Sequence, residues 1–127
     1  MTPFHIHLFG SGKGPIPTSF EATEARLKKL PLLHFEPDGS FVWIRESGKQ
    51  QIYGMLYDAA GELRYCDLQG HCELQTWREL RNAITDCDGA GLEVMLLREN
   101  ELQDLQTFES SLFGSVIATD SGSTQES

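Results

Sequence analysis

The chain has 127 residues and a formal net charge of −9 at pH 7, a length that suits one domain whose hydrophobic core needs no disulfide or metal support. So acidic a surface repels phosphate groups and anionic lipids, which argues against nucleic acid and membrane as partners and leaves basic protein segments. The simpler interpretation, that the acidity serves only solubility, stays open.

The three cysteines, Cys66, Cys72 and Cys87, are odd in number and irregular in spacing, which is not the pattern of a disulfide framework. The first ten residues are too short and too polar for a signal peptide. No apolar run approaches the roughly 18 residues needed to span a bilayer. These features predict a cytoplasmic protein, and no motif predicts a cofactor.

A first strand is predicted at positions 4–9, where histidine alternates with apolar residues. Side chains of a strand alternate between its two faces. One face therefore carries Phe4, Ile6 and Leu8, and the other carries His5, His7 and Phe9. The next segment, 10–17, is too rich in glycine and proline to be helical.

A first helix is predicted to begin at Thr18, because Thr18 and Glu21 have the spacing of a capping box. Pro31 ends this helix, since proline removes a backbone donor and clashes with the preceding turn. A short strand at 32–36 follows and leads into the central part of the chain.

Three consecutive strands are predicted at 41–46, 51–57 and 62–68, where β-branched and aromatic residues lie between turn formers. If both hairpin loops hold three residues, one face carries Val42, Ile44, Ile52, Gly54, Leu56, Cys66 and Leu68. The other face then carries Phe41, Trp43, Tyr53, Met55, Tyr57, Leu63 and Tyr65. A two-residue first loop would move the residues that the first of these strands contributes to each face onto the opposite face.

Neither of these two faces is polar, whereas a half-solvated antiparallel sheet alternates apolar with polar residues. One interpretation is that the chain's own helices cover both faces, as aromatic stripes are more often core than site. The other is that the second, aromatic face is a binding or dimer surface, because tyrosine and tryptophan bury a large apolar body and keep a polar tip.

Two further helices are predicted after these strands. The second begins at a capping box formed by Thr76 and Glu79, and the third is capped by Asn100 and ends at Gly114. A largely apolar run at 92–97 lies between them and predicts an interior strand.

The element order is therefore β-α-β-β-β-β-α-β-α, which predicts an α+β fold with five to six strands and three helices. The sheet should be mainly antiparallel, and mixed if the helical crossovers place neighbouring strands parallel. We expect positions 1–114 to form a single domain and 115–127 to form a flexible tail of acidic, Ser, Thr and Gly residues.

No motif with catalytic or metal-binding specificity is present. The segment 10–14 resembles part of a phosphate-binding loop, but the residue after Lys13 is Gly14 where a magnesium-binding Ser or Thr is required. His5 and His7 point to one side of their strand and would need a carboxylate or Cys to hold zinc; their spacing matches no standard zinc pattern, so they are weak candidates and no metal site is predicted. Adjacent residues such as His71 and Cys72 rarely face each other, as a Cys–His nucleophile requires.

Two functions from different classes remain. The favoured one is a small acidic, non-enzymatic protein-binding module (adaptor, chaperone-like or immunity-type) whose aromatic sheet face binds another protein or, as a homodimer, a second copy. In size, acidity and element order, and in nothing more specific, the chain is broadly similar to type III secretion chaperones. The alternative is an enzyme or a ligand- or metal-binding domain, with a site where His5, His7 and the segment Gly10–Pro17 meet the sheet.

Overall fold

The computed structural model describes residues 1–87 and 89–114. Seven strands are present: β1 (Phe4–Phe9), β2 (Leu33–Phe35), β3 (Ser40–Arg45), β4 (Gln50–Ala59), β5 (Glu62–His71), β6 (Glu93–Leu96) and β7 (Glu101–Asp104). Three α-helices accompany them: α1 (Phe20–Leu27), α2 (Leu74–Thr85) and α3 (Leu105–Leu112). Asp88 and the predicted tail, 115–127, lie outside the described residues.

All seven strands belong to one sheet, in the order β2-β3-β4-β5-β1-β6-β7. Every pairing between these strands is antiparallel. The predicted α+β class with a mainly antiparallel sheet is confirmed, while the mixed alternative is wrong. The sheet also has one strand more than predicted, since β7 occupies positions assigned to the third helix.

The first hairpin has a longer loop than the sequence suggested. Arg45 pairs with Gln50, which leaves 46–49 as the loop. Glu46 and Ser47 both adopt left-handed backbone conformations there. Because this loop has an even number of residues, every side chain of β3 moves to the opposite face from the one predicted. Phe41 and Trp43 consequently point into the core.

A β-bulge interrupts the second hairpin. Tyr57 pairs with Tyr65 and Asp58 pairs with Leu63, so Arg64 has no residue opposite it. The extra residue reverses the alternation of faces at the start of β5. Leu63 is fully buried as a result, contrary to its predicted place beside Tyr65.

The hydrophobic core lies on one side of the sheet, under the three helices. Trp77 of α2 and Phe108 of α3 contact each other and Phe4 of β1 in edge-to-face arrangements, with ring centroids 5.3–6.3 Å apart. Leu27 of α1 is buried in the same cluster. None of the helices among the described residues is long and apolar enough to cross a membrane.

A buried ionic network joins α3 to α2. The Glu109 carboxylate accepts hydrogen bonds from Trp77 Nε1 at 2.7 Å and from Arg81 at 2.6 Å. Arg78, whose side chain is half exposed, donates a further hydrogen bond from Nη2 to Glu109 Oε1 at 3.2 Å. A carboxylate with this many donors is well compensated for burial.

The helices begin at other residues than the capping boxes predicted. Ser19 caps α1, accepting a hydrogen bond from the backbone N–H of Ala22 at 3.1 Å. Helix α2 begins at Leu74, without a side-chain cap. Asp104 caps α3, whose first residue is Leu105, and Asn100 instead has a left-handed backbone conformation before β7.

Candidate functional site

The side of the sheet opposite the helices is the candidate site, and we call it the open face. Each of its side chains is exposed or half-buried, whereas the alternate residues of the central strands are buried. Its central members are His5, His7 and Phe9 of β1, Val42 and Ile44 of β3, Tyr53, Met55 and Tyr57 of β4, Tyr65 and Asp67 of β5, and Met95 of β6.

The predicted aromatic surface is divided between the two sides of the sheet. Tyr53, Met55, Tyr57 and Tyr65 lie on the open face, and Tyr53 and Tyr57 are 53% and 41% exposed. Phe41, Trp43 and Leu63 instead belong to the core, with 4%, 0% and 0% exposure. The four-residue loop and the bulge account for these three displacements. Val42 and Ile44 take the places predicted for Phe41 and Trp43.

Aromatic rings pack side by side at one end of the open face. Tyr57 and Tyr65 are stacked, with centroids 4.6 Å apart and an interplanar angle of 16°. Tyr65 also contacts His7 at 4.7 Å and Phe9 at 5.5 Å. Burial raises the pKa of Tyr65, and the neighbouring Tyr57 and Asp67 raise it further. Tyr65 is therefore a neutral phenol near pH 7.

His5 and His7 converge on one carboxylate near the middle of the open face. His7 Nε2 lies 2.8 Å from Asp67 Oδ2, and His5 Nε2 lies 3.2 Å from both oxygens of Asp67. As a carboxylate only accepts hydrogen bonds, each imidazole donates its Nε2 proton. The three side chains are each about a quarter to a third exposed, so solvent and a partner can reach them.

The sequence placed His5 and His7 on one side of a strand but gave no sign of Asp67 as their partner. That partnership depends on β1 pairing with β5, in which His7 is opposite Asp67. A strand pairing over this sequence distance has no local signal. Within 1–87 and 89–114, no three His, Cys, Asp or Glu side chains are grouped so that they could bind one metal ion.

A groove of about 430 Å³ lies at the aromatic end of the open face and is lined there by Phe9, Tyr57 and Tyr65. The remaining lining residues are Lys13, Gly14, Pro15, Asp58 and Arg64. The alternative site was predicted at this junction of the loop and the sheet, although His5 and His7 themselves do not line the groove.

The loop beside the groove is held by hydrogen bonds. It contains a single 3-10 turn, Ser11–Lys13, where no helical turn was predicted. Lys13 has a left-handed backbone with φ of 60°. Its N–H donates to Glu93 Oε1 of β6 at 2.9 Å, and Gly10 N–H donates to the Gly14 carbonyl at 2.9 Å. These contacts fix the Lys13 backbone at the groove.

The cysteines lie away from the open face. Cys66 and Cys72 are buried. Burial, and to a smaller extent Asp67, raises the pKa of the Cys66 thiol well above its ordinary value. Burial followed by the nearby Glu73 raises the pKa of Cys72 to about 12. Both thiols are therefore protonated near pH 7, opposite to what a nucleophilic cysteine requires.

Comparisons were made with protein-family models, with curated proteins and with solved structures, and none of them gives a significant match to this chain.

Proposed function

We propose that the protein is a small protein-binding module whose open face receives a basic, partly apolar segment of another protein. The observation that carries the proposal is a broad sheet face that presents Tyr53, Tyr57 and Ile44 to solvent. A monomeric protein rarely leaves so many large apolar groups together on one surface unless that surface binds something.

The composition of the open face supports this role. Tyrosine, methionine and other apolar residues dominate its centre, and protein interfaces are enriched in aromatic residues and methionine. The central carboxylate, Asp67, has two histidine donors, so it does not need water to satisfy it when a partner covers it. Well-satisfied polar groups lower the desolvation cost of forming an interface.

The size of the open face also supports it. Seven strands about 4.8 Å apart give a face about 29 Å wide, and strands of about six residues give it a length of about 20 Å. The projected area of roughly 600 Å² approaches the roughly 800 Å² that each partner contributes to a standard interface.

Charge favours a basic partner over a second copy of the chain. The net charge of the chain is −9, so two copies repel each other once their surfaces approach within about 10 Å. Asp67 and Glu93 supply negative charge within the strands of the open face, and Lys13 and Arg64 are confined to its groove end. Arg64 is already ion-paired with Glu62. A segment that carries lysine or arginine beside apolar side chains complements this arrangement.

The test is a selection of peptides from a random dodecapeptide library displayed on phage, at pH 7.5 and moderate salt. Recovered peptides are synthesised, and their affinities are measured for the wild type and for the double variant Tyr53→Ser, Tyr57→Ser. Leu32→Ser is the matched control, because Leu32 is 74% exposed but lies in the turn before β2. We expect the recovered peptides to be rich in lysine or arginine and to contain aromatic or aliphatic residues. Their affinity should fall at least tenfold for the double variant and stay unchanged for Leu32→Ser.

Three outcomes would contradict the proposal. The first is the recovery of no peptide that distinguishes the wild type from the double variant. The second is a set of peptides without basic residues. The third is a dimer in sedimentation equilibrium that the double variant dissociates, because the open face would then be occupied by a second copy.

A further inference from the structure

Protonation of both histidines of the His5–Asp67–His7 cluster changes its charge by two units and is compatible with its hydrogen bonds. Asp67 is an anion, and each imidazole donates Nε2–H to it. The neutral imidazole in this Nε2–H tautomer and the doubly protonated imidazolium both carry a proton on Nε2, so protonation keeps both hydrogen bonds and makes them charge-assisted. The second ring nitrogen, Nδ1, takes up the added proton.

The charge of the cluster follows from this proton count. With both histidines neutral, the cluster has a charge of −1. The first proton brings it to 0 and the second to +1. Because the two imidazoles share one carboxylate, a positive charge on one ring would lie close to a positive charge on the other.

We propose that this cluster makes the open face pH-sensitive, so that it binds a basic segment near neutral pH and releases it in mildly acidic solution. The inference rests on the proposed function, since it concerns the affinity of the same face for the same class of partner. Histidine is the side chain whose charge most often changes between about pH 5 and pH 8.

Several other titratable or charged groups lie near the cluster. Tyr65 lies beside His7, and Tyr57 and Tyr53 lie one strand further on the same face. Glu93 of β6 is an anion, and Arg98 and Glu99 beyond β6 line a pocket with His5 and have opposite charges. Lys13 contacts the ring of Phe9. His71, opposite Gln51 at the end of β5, and His34, opposite Val42 in β2, lie on the same face, and a proton on either would change the charge of the face in the same direction.

The test measures the affinity of the tightest-binding lysine- or arginine-bearing library peptide at pH 7.5, 6.5 and 5.5 and constant ionic strength. We expect the wild type to bind the peptide roughly tenfold more weakly at pH 5.5, since each added charge next to a partner cation costs a few-fold in affinity at a solvated surface. The variant His5→Gln, His7→Gln should lose most of this dependence. His34→Gln is the matched control, because His34 lies on the same face opposite Val42 but in β2, three strands away from Asp67, and this variant should keep the dependence.

A parallel measurement separates this inference from the function on which it rests. Far-ultraviolet circular dichroism at each pH establishes that the fold is intact. No discriminating peptide at pH 7.5 would defeat the proposed function itself. A peptide that binds at pH 7.5 but is equally tight at pH 5.5, or whose pH dependence persists in the double glutamine variant or disappears in His34→Gln, would overturn the inference alone.

Discussion

Phe41 and Gly54 face each other across β3 and β4, and the phenyl ring of Phe41 occupies the space that a side chain at position 54 would fill. Gly54 is buried in the middle of a ten-residue strand, a position where glycine is usually unfavourable. Its lack of a side chain lets the ring lie flat against the sheet on the helix side. The contact therefore fixes which side of β3 faces the core and which side is open.

Replacing Gly54 with alanine should destabilise the protein. A methyl group at this position would overlap the Phe41 ring, and overpacking of a core typically costs about 1–3 kcal/mol. The measurement is the free energy of unfolding in urea. The double variant Gly54→Ala, Phe41→Leu should lose less stability than the two single changes added together, because leucine leaves room for the methyl group. Strict additivity would show that the two residues do not compete for one space.

Removing Arg81 should cost far more stability than removing Arg78, although both bind Glu109. Arg81 is buried with the carboxylate, whereas the Arg78 side chain is half exposed. Breaking a buried ion pair by deleting one partner costs about 3–5 kcal/mol, while an exposed pair is worth at most about 1 kcal/mol. Urea denaturation of Arg81→Met and Arg78→Met gives the comparison. Equal losses would show that the network does not depend on burial.

The three cysteines should react with a thiol reagent at different rates. Cys66 and Cys72 are buried with raised pKa values, whereas Cys87 is partly exposed on the surface after α2. Near pH 8, we expect a thiol-specific chromogenic disulfide to modify Cys87 first and the other two only as fast as the protein opens. Cys87→Ser should abolish the fast phase. A fast phase that persists in this variant would place a second thiol at the surface.

Stability should fall in alkaline solution because of the same two buried thiols. A cysteine ionises near pH 9 in the unfolded chain, but the folded pKa of Cys72 is about 12 and that of Cys66 is also raised. Above pH 9 the unfolded state therefore releases protons that the folded state retains, and each thiol lowers the stability by up to about 1.4 kcal/mol per pH unit. Between pH 9 and pH 10.5, the variant Cys66→Ala, Cys72→Ala should show a shallower decline than the wild type. An equally steep fall in stability for the variant and the wild type would contradict the raised pKa values of the two thiols.

The fold was predictable from the sequence where the signals are local. Alternation in 4–9 identified β1 and its two faces, and turn formers delimited β4 and β5. The failures have specific physical causes. Asn100 has the chemistry of a helix cap but also tolerates the left-handed conformation that it adopts before β7. Glu46 and Ser47 both adopt left-handed backbone conformations, which lengthens the first hairpin loop, although neither residue type favours that conformation.

The candidate site was less predictable than the fold. Tyr53 and Tyr57 could be assigned to one face because they are four residues apart on a single strand, and an even spacing places side chains on the same face. The places of Phe41 and Trp43 depended on a loop length that the sequence left open. The partnership of His7 with Asp67 depends on two strands about 60 residues apart in sequence, which no local pattern specifies.

The most direct test of the open face as a binding surface is a methyl NMR titration. The chain has three methionines: Met55 and Met95 belong to the open face, and Met1 lies at the start of the chain, in a pocket with Phe113 of the helix side. In protein labelled with ¹³C at the methionine methyl groups, the tightest-binding basic peptide is added at pH 7.5. We predict that the Met55 and Met95 signals shift and saturate together while the Met1 signal stays in place. A shift of the Met1 signal alone would contradict the account. So would saturation of the protein with peptide while the Met55 and Met95 signals stay in place.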